Sequence, residues 1–270
     1  MSYDSNMLSE VLTFIFFLLI GLEIREGLQK PKDAILPTVS ALGGMLVPAI
    51  IFLVLIPGSE AWAVAMPTDV ALAIGALSIL GKRVNPAVRL FLLTLAVADD
   101  FFSLVAIGIF FSDDLHLASA IYTLGAATIG FFLPMRHKLI SILSPFATFV
   151  IIPVYVFINL LTKLDFSVAT GEVSIAVVIA RVVGKVVGIT LFTYLCIRFT
   201  KIRLPQGLLL NEVVGVGFLA GMGLTVSIVI AEITLQSPAE LSQVRMGLLF
   251  AAIISGLFGV LWLRRFPASQ

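Results

Sequence analysis

Nine runs of about twenty apolar residues leave this chain few ways to fold. They lie near 7–24, 34–56, 61–80, 86–111, 117–134, 142–161, 172–197, 207–231 and 244–263. Each has about the length an α-helix needs to cross the hydrocarbon of a bilayer. Turn and breaker residues separate them: Lys30-Pro31, Pro57-Gly58, Asn85-Pro86, Pro134, Pro205 to Gly207 and Pro238. No linker is long enough to hold a soluble domain, so residues 1–270 read as one membrane domain. Composition points the same way, with 60% hydrophobic and 12% charged residues against about 45–50% and about 25% in a soluble domain. A water-soluble core of this size cannot hide that much apolar surface. The expected fold class is all-α, a polytopic membrane protein whose first partner is lipid.

Several chemistries are disfavoured. Cys196 is the single cysteine, so no internal disulfide can form. His116 and His137 stand 21 residues apart with no Cys/His cluster around them, which argues against structural zinc. No cofactor is expected, and the absence of a basic stripe argues against nucleic acid. The first ten residues hold Asp4 and Glu10 but no Lys or Arg, the wrong sign for the start of a cleavable signal peptide.

Charge placement sets orientation. Arg25, Lys30 and Lys32, then Lys82, Arg83 and Arg89, then Arg136 and Lys138, then Arg198, Lys201 and Arg203, then Arg264 and Arg265 occupy alternate loops. The opposite loops hold only Lys163, a split of 13 against one. Since basic loops stay in the cytoplasm, the N-terminus is expected outside and the C-terminus inside. An odd number of spans requires the same.

Most spans carry no central charge. Three do: the third has Asp69, the fourth has the adjacent pair Asp99-Asp100, and the seventh has Arg181 and Lys185. At about 1.5 Å per residue these groups lie near the midplane, where an uncompensated charge costs at least about 2.5–3.5 kcal/mol. They are therefore expected to face one another or a water-filled cavity. Simple ion pairs tying helices together are one reading. Neighbours on a helix point about 100° apart, however, so one base cannot easily serve both Asp99 and Asp100. Two carboxylates this close in low dielectric titrate as a coupled unit. Such a pair can hold a proton or, in its place, a cation.

The third and eighth spans are also interrupted. Met66-Pro67-Thr68-Asp69 places a proline in mid-membrane, which removes a backbone donor and disfavours helical geometry at Met66. Gly215, Gly217, Gly221 and Gly223 put four glycines in nine residues of the eighth span, a costly composition for an unbroken helix. Kinks or tight packing would explain either one alone. Together they fall in the middle spans of two triplets, about 34–111 and 171–265, that start on opposite sides of the membrane. Paired breaks of this kind point to an inverted-repeat transporter with two crossed broken helices and a site at the crossing. Asp69 can neutralise the positive helix ends there and Lys185 the negative ones. The Thr68 hydroxyl and free carbonyls can offer oxygens to a hard cation.

Six strings carry a resemblance: FIFFLLIGLEIRE (Phe14 to Glu26), GGMLVP (Gly43 to Pro48), PTDVALAIG (Pro67 to Gly75), LAVADD (Leu95 to Asp100), GKVVGITLF (Gly184 to Phe192) and VGFLAGMGLTVSIVIA (Val216 to Ala231). In this order they resemble the NhaA-type sodium/proton antiporters, a family that is itself a standard example of the inverted-repeat architecture. The resemblance implies that Asp99 and Asp100 bind the transported Na⁺ or Li⁺ and the proton, with Asp100 as the main ligand and Thr68 helping to hold the ion. It implies charge compensation by Asp69 and Lys185, with Lys185 a partner of Asp99. Glu23 would be an acidic residue of the cytoplasmic funnel. A bacterial inner-membrane location, pH homeostasis and a homodimer are compatible with it.

The chain also departs from the family's pattern. Twelve spans are usual, and here the first and about two central ones are missing, with a junction around Asp113 to Pro134. Phe102 follows the acidic pair where a small residue is usual, and Val186 follows Lys185 where proline is usual. The stretch from Arg136 to Pro145 lacks the histidine often found before that proline. Arg181 is an added base one helical turn from Lys185 and so a modulator that could compete for Asp99. Glu212 and Glu232 are expected at the interfaces, and Cys196 in packing. The expected function is exchange of Na⁺ or Li⁺ for H⁺ by alternating access rather than enzyme catalysis. The first alternative is a shortened, non-transporting relative with a structural or regulatory role. An intramembrane aspartyl protease is a more distant one, because it leaves Lys185 and the paired breaks without a purpose.

Overall fold

A computed structural model of the chain describes residues 31–81, 84–110, 152–160 and 163–265, together with positions 14, 15, 18, 22, 125, 126, 128–130 and 132. Regular structure among the described residues is helical, with no strand. Helix α1 (Pro31–Leu55) starts on a proline whose missing N–H would have had no helical partner and ends before Pro57-Gly58, where Gly58 takes φ +82°. Ser59 then accepts the Ala61 N–H at 3.1 Å and opens a 3-10 helix, Glu60–Ala65. Helix α2 (Val70–Ile79) follows after a non-helical stretch. Asn85 accepts the Ala87 N–H at 2.9 Å and starts α3 (Pro86–Phe110).

Further on, α4 is Ile152–Asn159. Helix α5 (Glu172–Ile179) runs through a π-helical turn, Ala180–Gly184, into α6 (Lys185–Phe199). Helices α7 (Leu210–Ala220) and α8 (Thr225–Thr234) meet at a 49° bend. Ser237 caps α9 (Pro238–Leu263).

Three described helices are long and apolar enough to cross a membrane: Ala34–Leu55, Glu172–Phe199 and Pro238–Leu263. The bent pair α7–α8 adds a fourth if counted as one span. The first and fifth predicted spans, and most of the sixth, lie outside the described residues apart from scattered positions. The third predicted span is not a single helix, because Pro67 and the capping carboxylate of Asp69 divide it. The last begins earlier than expected, at Pro238 rather than near 244, since Ser237 and Pro238 supply a ready helix start.

The distribution of polarity is the reverse of that in a soluble protein. Phe199, Ile79 and Val54 are 80%, 77% and 73% exposed, whereas Asp99, Arg181 and Lys185 have no exposed surface. An outer apolar surface with the charges turned inward suits lipid. The interior contains two apolar clusters. One gathers Met45, Phe52, Val64, Val177, Ile228 and Leu248. The other gathers Leu36, Leu77, Phe91, Leu95, Ile189 and Val216. Helix α1, the α5–α6 helix and the α7–α8 pair each pass from one cluster to the other. Along the latter two, the charged side chains and the backbone break fall at the changeover.

Small residues let the helices close up on this layer. A Cβ on Gly184 would lie 2.8 Å from Pro48 Cα in α1, and one on Gly217 would lie 2.8 Å from Val186 Cα in α6. Such close backbone approach is how membrane helices gain packing energy without a hydrophobic drive between them. Gly217→Val is therefore expected to part α7 from α6 and to cost about 1–3 kcal/mol. Thermal unfolding in detergent measures this, and an unchanged Tm would show that the contact is slack.

Candidate functional site

The backbone breaks define the site. In the first, Met66 keeps a helical conformation (φ −75°, ψ −51°) and donates its N–H to Ala63 O. The break thus begins one residue later than the proline rule predicts. Asp69 is extended, at φ −104° and ψ 104°. In the second, Gly221 and Met222 still bond back to Phe218 O and Leu219 O, at 2.9 and 3.1 Å, before the chain turns into α8. All four glycines sit at close contacts: Gly215 against Leu263, Gly217 against Val186, Gly221 against Ser255, and Gly223 against Arg181 and Pro67 O.

Asp69 joins the two breaks. Its Oδ1 accepts the Leu72 N–H at the start of α2, at 3.4 Å. Its Oδ2 accepts the Thr225 hydroxyl at 2.6 Å and the Thr225 N–H at 3.3 Å, at the start of α8. One carboxylate thereby serves the N-terminal ends of both helices, where backbone partial charge is positive. Thr225 is absent from the sequence-based list of site residues. A hydroxyl residue opening a helix straight after a glycine-rich stretch was the available signal.

Two bases meet the opposite ends. Lys185 Nζ donates to the Met66 carbonyl, to Thr68 Oγ1 at 2.9 Å and to Asp99 Oδ2 at 3.1 Å. It forms a fully buried ion pair with Asp99. Arg181 turns to other atoms. Its Nη1 donates to Val64 O at 2.7 Å and Ser227 Oγ at 2.6 Å, its Nη2 to Pro67 O at 2.7 Å, and its Nε to Gly221 O at 3.2 Å. The competition with Lys185 for Asp99 expected from sequence is not the arrangement seen. No Arg181–Asp99 hydrogen bond occurs among the described residues, and the guanidinium lies on backbone carbonyls from both breaks.

Asp99 and Asp100 sit mid-way along α3, 0% and 5% exposed. Asp99 Oδ1 has no hydrogen-bond partner among the described residues. Thr68 is also buried and shares the Lys185 ammonium with Asp99. The structure thus joins Thr68 and Asp99 through Lys185, while Arg181 and Asp69 hold the adjoining backbone breaks through separate partners, and Asp100 is adjacent to Asp99 in sequence. Glu23 lies outside the described residues. Of the acids expected at the interfaces, Glu212 is buried and accepts the Leu209 N–H at 2.7 Å. Glu232 pairs with Arg245 at 3.0 Å and Lys163 at 3.6 Å. Cys196 is a buried free thiol.

This chemistry can exchange monovalent charges. Carboxylates, a hydroxyl and a peptide carbonyl are hard oxygen donors of the type that binds alkali and alkaline-earth cations. The same carboxylates can bind protons.

Comparison with known proteins is consistent with this arrangement. The profile of the family described as Na⁺/H⁺ antiporter 1 matches residues 4–142 and 133–263. Proteins named Na(+)/H(+) antiporter NhaA from Salmonella arizonae, Citrobacter koseri and Escherichia coli O1:K1 / APEC are each 30% identical to the chain over 326 residues. Each alignment covers 97% of this chain and 84% of the relative. At 326 residues the alignments are longer than the 270-residue chain, so the relatives carry stretches that this chain lacks.

Proposed function

Because this chain belongs to the Na⁺/H⁺ antiporter 1 family, we propose that it exchanges Na⁺ or Li⁺ for H⁺ by alternating access. The observation that carries this reading is the position of the Lys185 ammonium. It lies on three oxygens, those of Met66, Thr68 and Asp99, that together make the kind of set a small hard cation would choose. An incoming Na⁺ takes over these oxygens together with Asp100 and displaces the ammonium. Protons leave the site as the cation enters. Binding of a proton at Asp100 or Asp99 reverses the step, so the site holds one kind of cargo at a time. Asp69 stays fixed as the counter-charge to the helix ends throughout.

In this reading the repeats at about 34–111 and 171–265 rock against each other around the site. Nine spans cross a bacterial inner membrane, with the N-terminus outside and the C-terminus in the cytoplasm. Reporter fusions at each end test that orientation, and a cytoplasmic signal from the N-terminal fusion overturns it.

The function itself is tested in proteoliposomes that carry a preset pH gradient. Na⁺ or Li⁺ added on one side is expected to collapse the gradient, while K⁺ leaves it standing. A gradient untouched by Na⁺ and Li⁺ would transfer the assignment to the shortened, non-transporting relative.

A further inference from the structure

We propose that Arg181 is the positioning residue of the site: its guanidinium clamps the two backbone breaks together and releases Lys185 from that structural duty. The two bases divide the carbonyls of the first break between them. Lys185 takes Met66 O, while Arg181 takes Val64 O and Pro67 O on either side of it. Arg181 alone also reaches the second break, through Gly221 O and Ser227 Oγ. A planar guanidinium presents five donors in a fixed fork and spreads them over both breaks, whereas the three donors of the Lys185 ammonium are already used on Met66 O, Thr68 and Asp99.

The surroundings fit a clamp. The carbonyls it holds close the C-terminal ends of the 3-10 helix Glu60–Ala65 and of α7, where backbone partial charge is negative. A Cβ on Gly223 would lie 2.6 Å from Pro67 O and would also run into the guanidinium. The two breaks are therefore packed directly on Arg181 with no room to spare. Its own turn, Ala180–Gly184, is π-helical, a local widening that recurs at functional sites.

The roles of the two bases then differ in a measurable way. Removing Lys185 strands one carbonyl of one break, Met66 O. Removing Arg181 strands Val64 O, Pro67 O and Gly221 O across both breaks, and each buried carbonyl left without a donor adds to the cost. The division of labour rests on the exchange reading for Lys185; the clamp itself does not.

The test uses the full chain purified in detergent. Melting and Li⁺ affinity by titration calorimetry are measured for Arg181→Gln, Arg181→Lys and Lys185→Gln. Arg181→Gln is expected to lower Tm on the order of 10 °C, or to yield no folded protein, while Lys185→Gln melts above Arg181→Gln. Arg181→Lys is expected to recover folded protein that binds Li⁺ about tenfold more weakly, because the segment carrying Thr68 is held less firmly. Arg181→Gln melting like the unaltered chain, or Lys185→Gln melting as low as Arg181→Gln, overturns the clamp. Unaltered Li⁺ affinity in Arg181→Lys overturns the positioning role. An unaltered chain that binds no Li⁺ sinks the exchange reading instead, and the order of melting still decides the clamp.

Discussion

Asp100→Asn is expected to abolish Na⁺-driven proton movement while the protein still inserts and folds. A cation stripped of water inside the membrane needs a full negative charge close by. An amide oxygen supplies a dipole without that charge, and its NH₂ group cannot accept the exchanged proton. Li⁺ affinity should fall at least about 100-fold, the upper end of what loss of an outer-shell partner alone costs a metal site. Asp99→Asn should behave differently. It removes the ion-pair partner of Lys185 and one proton carrier but leaves Asp100 in place, so weak cation binding should survive. Titration calorimetry with Li⁺ and flux in vesicles measure both variants. Equal Li⁺ affinity in Asp100→Asn and the unaltered chain would remove Asp100 from the site.

Asp69→Ala is expected to destabilise the fold strongly. Three donors rely on this carboxylate: the Leu72 N–H, the Thr225 N–H and the Thr225 hydroxyl. Asp69 is 3% exposed, so water cannot readily take its place. Each stranded donor costs about 1–3 kcal/mol, and two helix N-termini lose their counter-charge at the same time. The sum is on the order of 5 kcal/mol, enough to lower Tm on the order of 10 °C or to prevent folding. Asp69→Asn keeps an acceptor oxygen and should fall between the two. An alanine variant with an unchanged melting curve would show that the helix ends at the breaks need no carboxylate.

Much of the site was legible because a bilayer is an unforgiving solvent. A charge at mid-span has few affordable places to go, so Asp69, Asp99, Asp100, Arg181 and Lys185 announced themselves by depth alone. The two interruptions were readable from Pro67 and from the glycines at 215–223, because each weakens a helix by a known local mechanism. The helix start at Pro86 follows from equally local chemistry, whereas the same signal at Pro238 lies ahead of the start expected near 244.

The partners of Arg181 were not legible, because they depend on which atoms the fold brings within about 3 Å. Sequence spacing put Arg181 and Lys185 on one face and suggested rivalry for Asp99. Lys185 lies 3.1 Å from Asp99, the pairing that the family resemblance implies; only the tertiary structure sends Arg181 to the carbonyls of Val64, Pro67 and Gly221. Nor could spacing assign Gly217 to packing against Val186 and Gly223 to the contact between the breaks, since a glycine looks the same in either role. The sequence by itself determined that the chain is membrane-embedded, helical and charged at its centre, through hydrophobic length and the cost of buried charge. The tertiary structure decided that Arg181 holds the backbone rather than the acid, because hydrogen bonds are short and directional and residue spacing along the chain does not encode them.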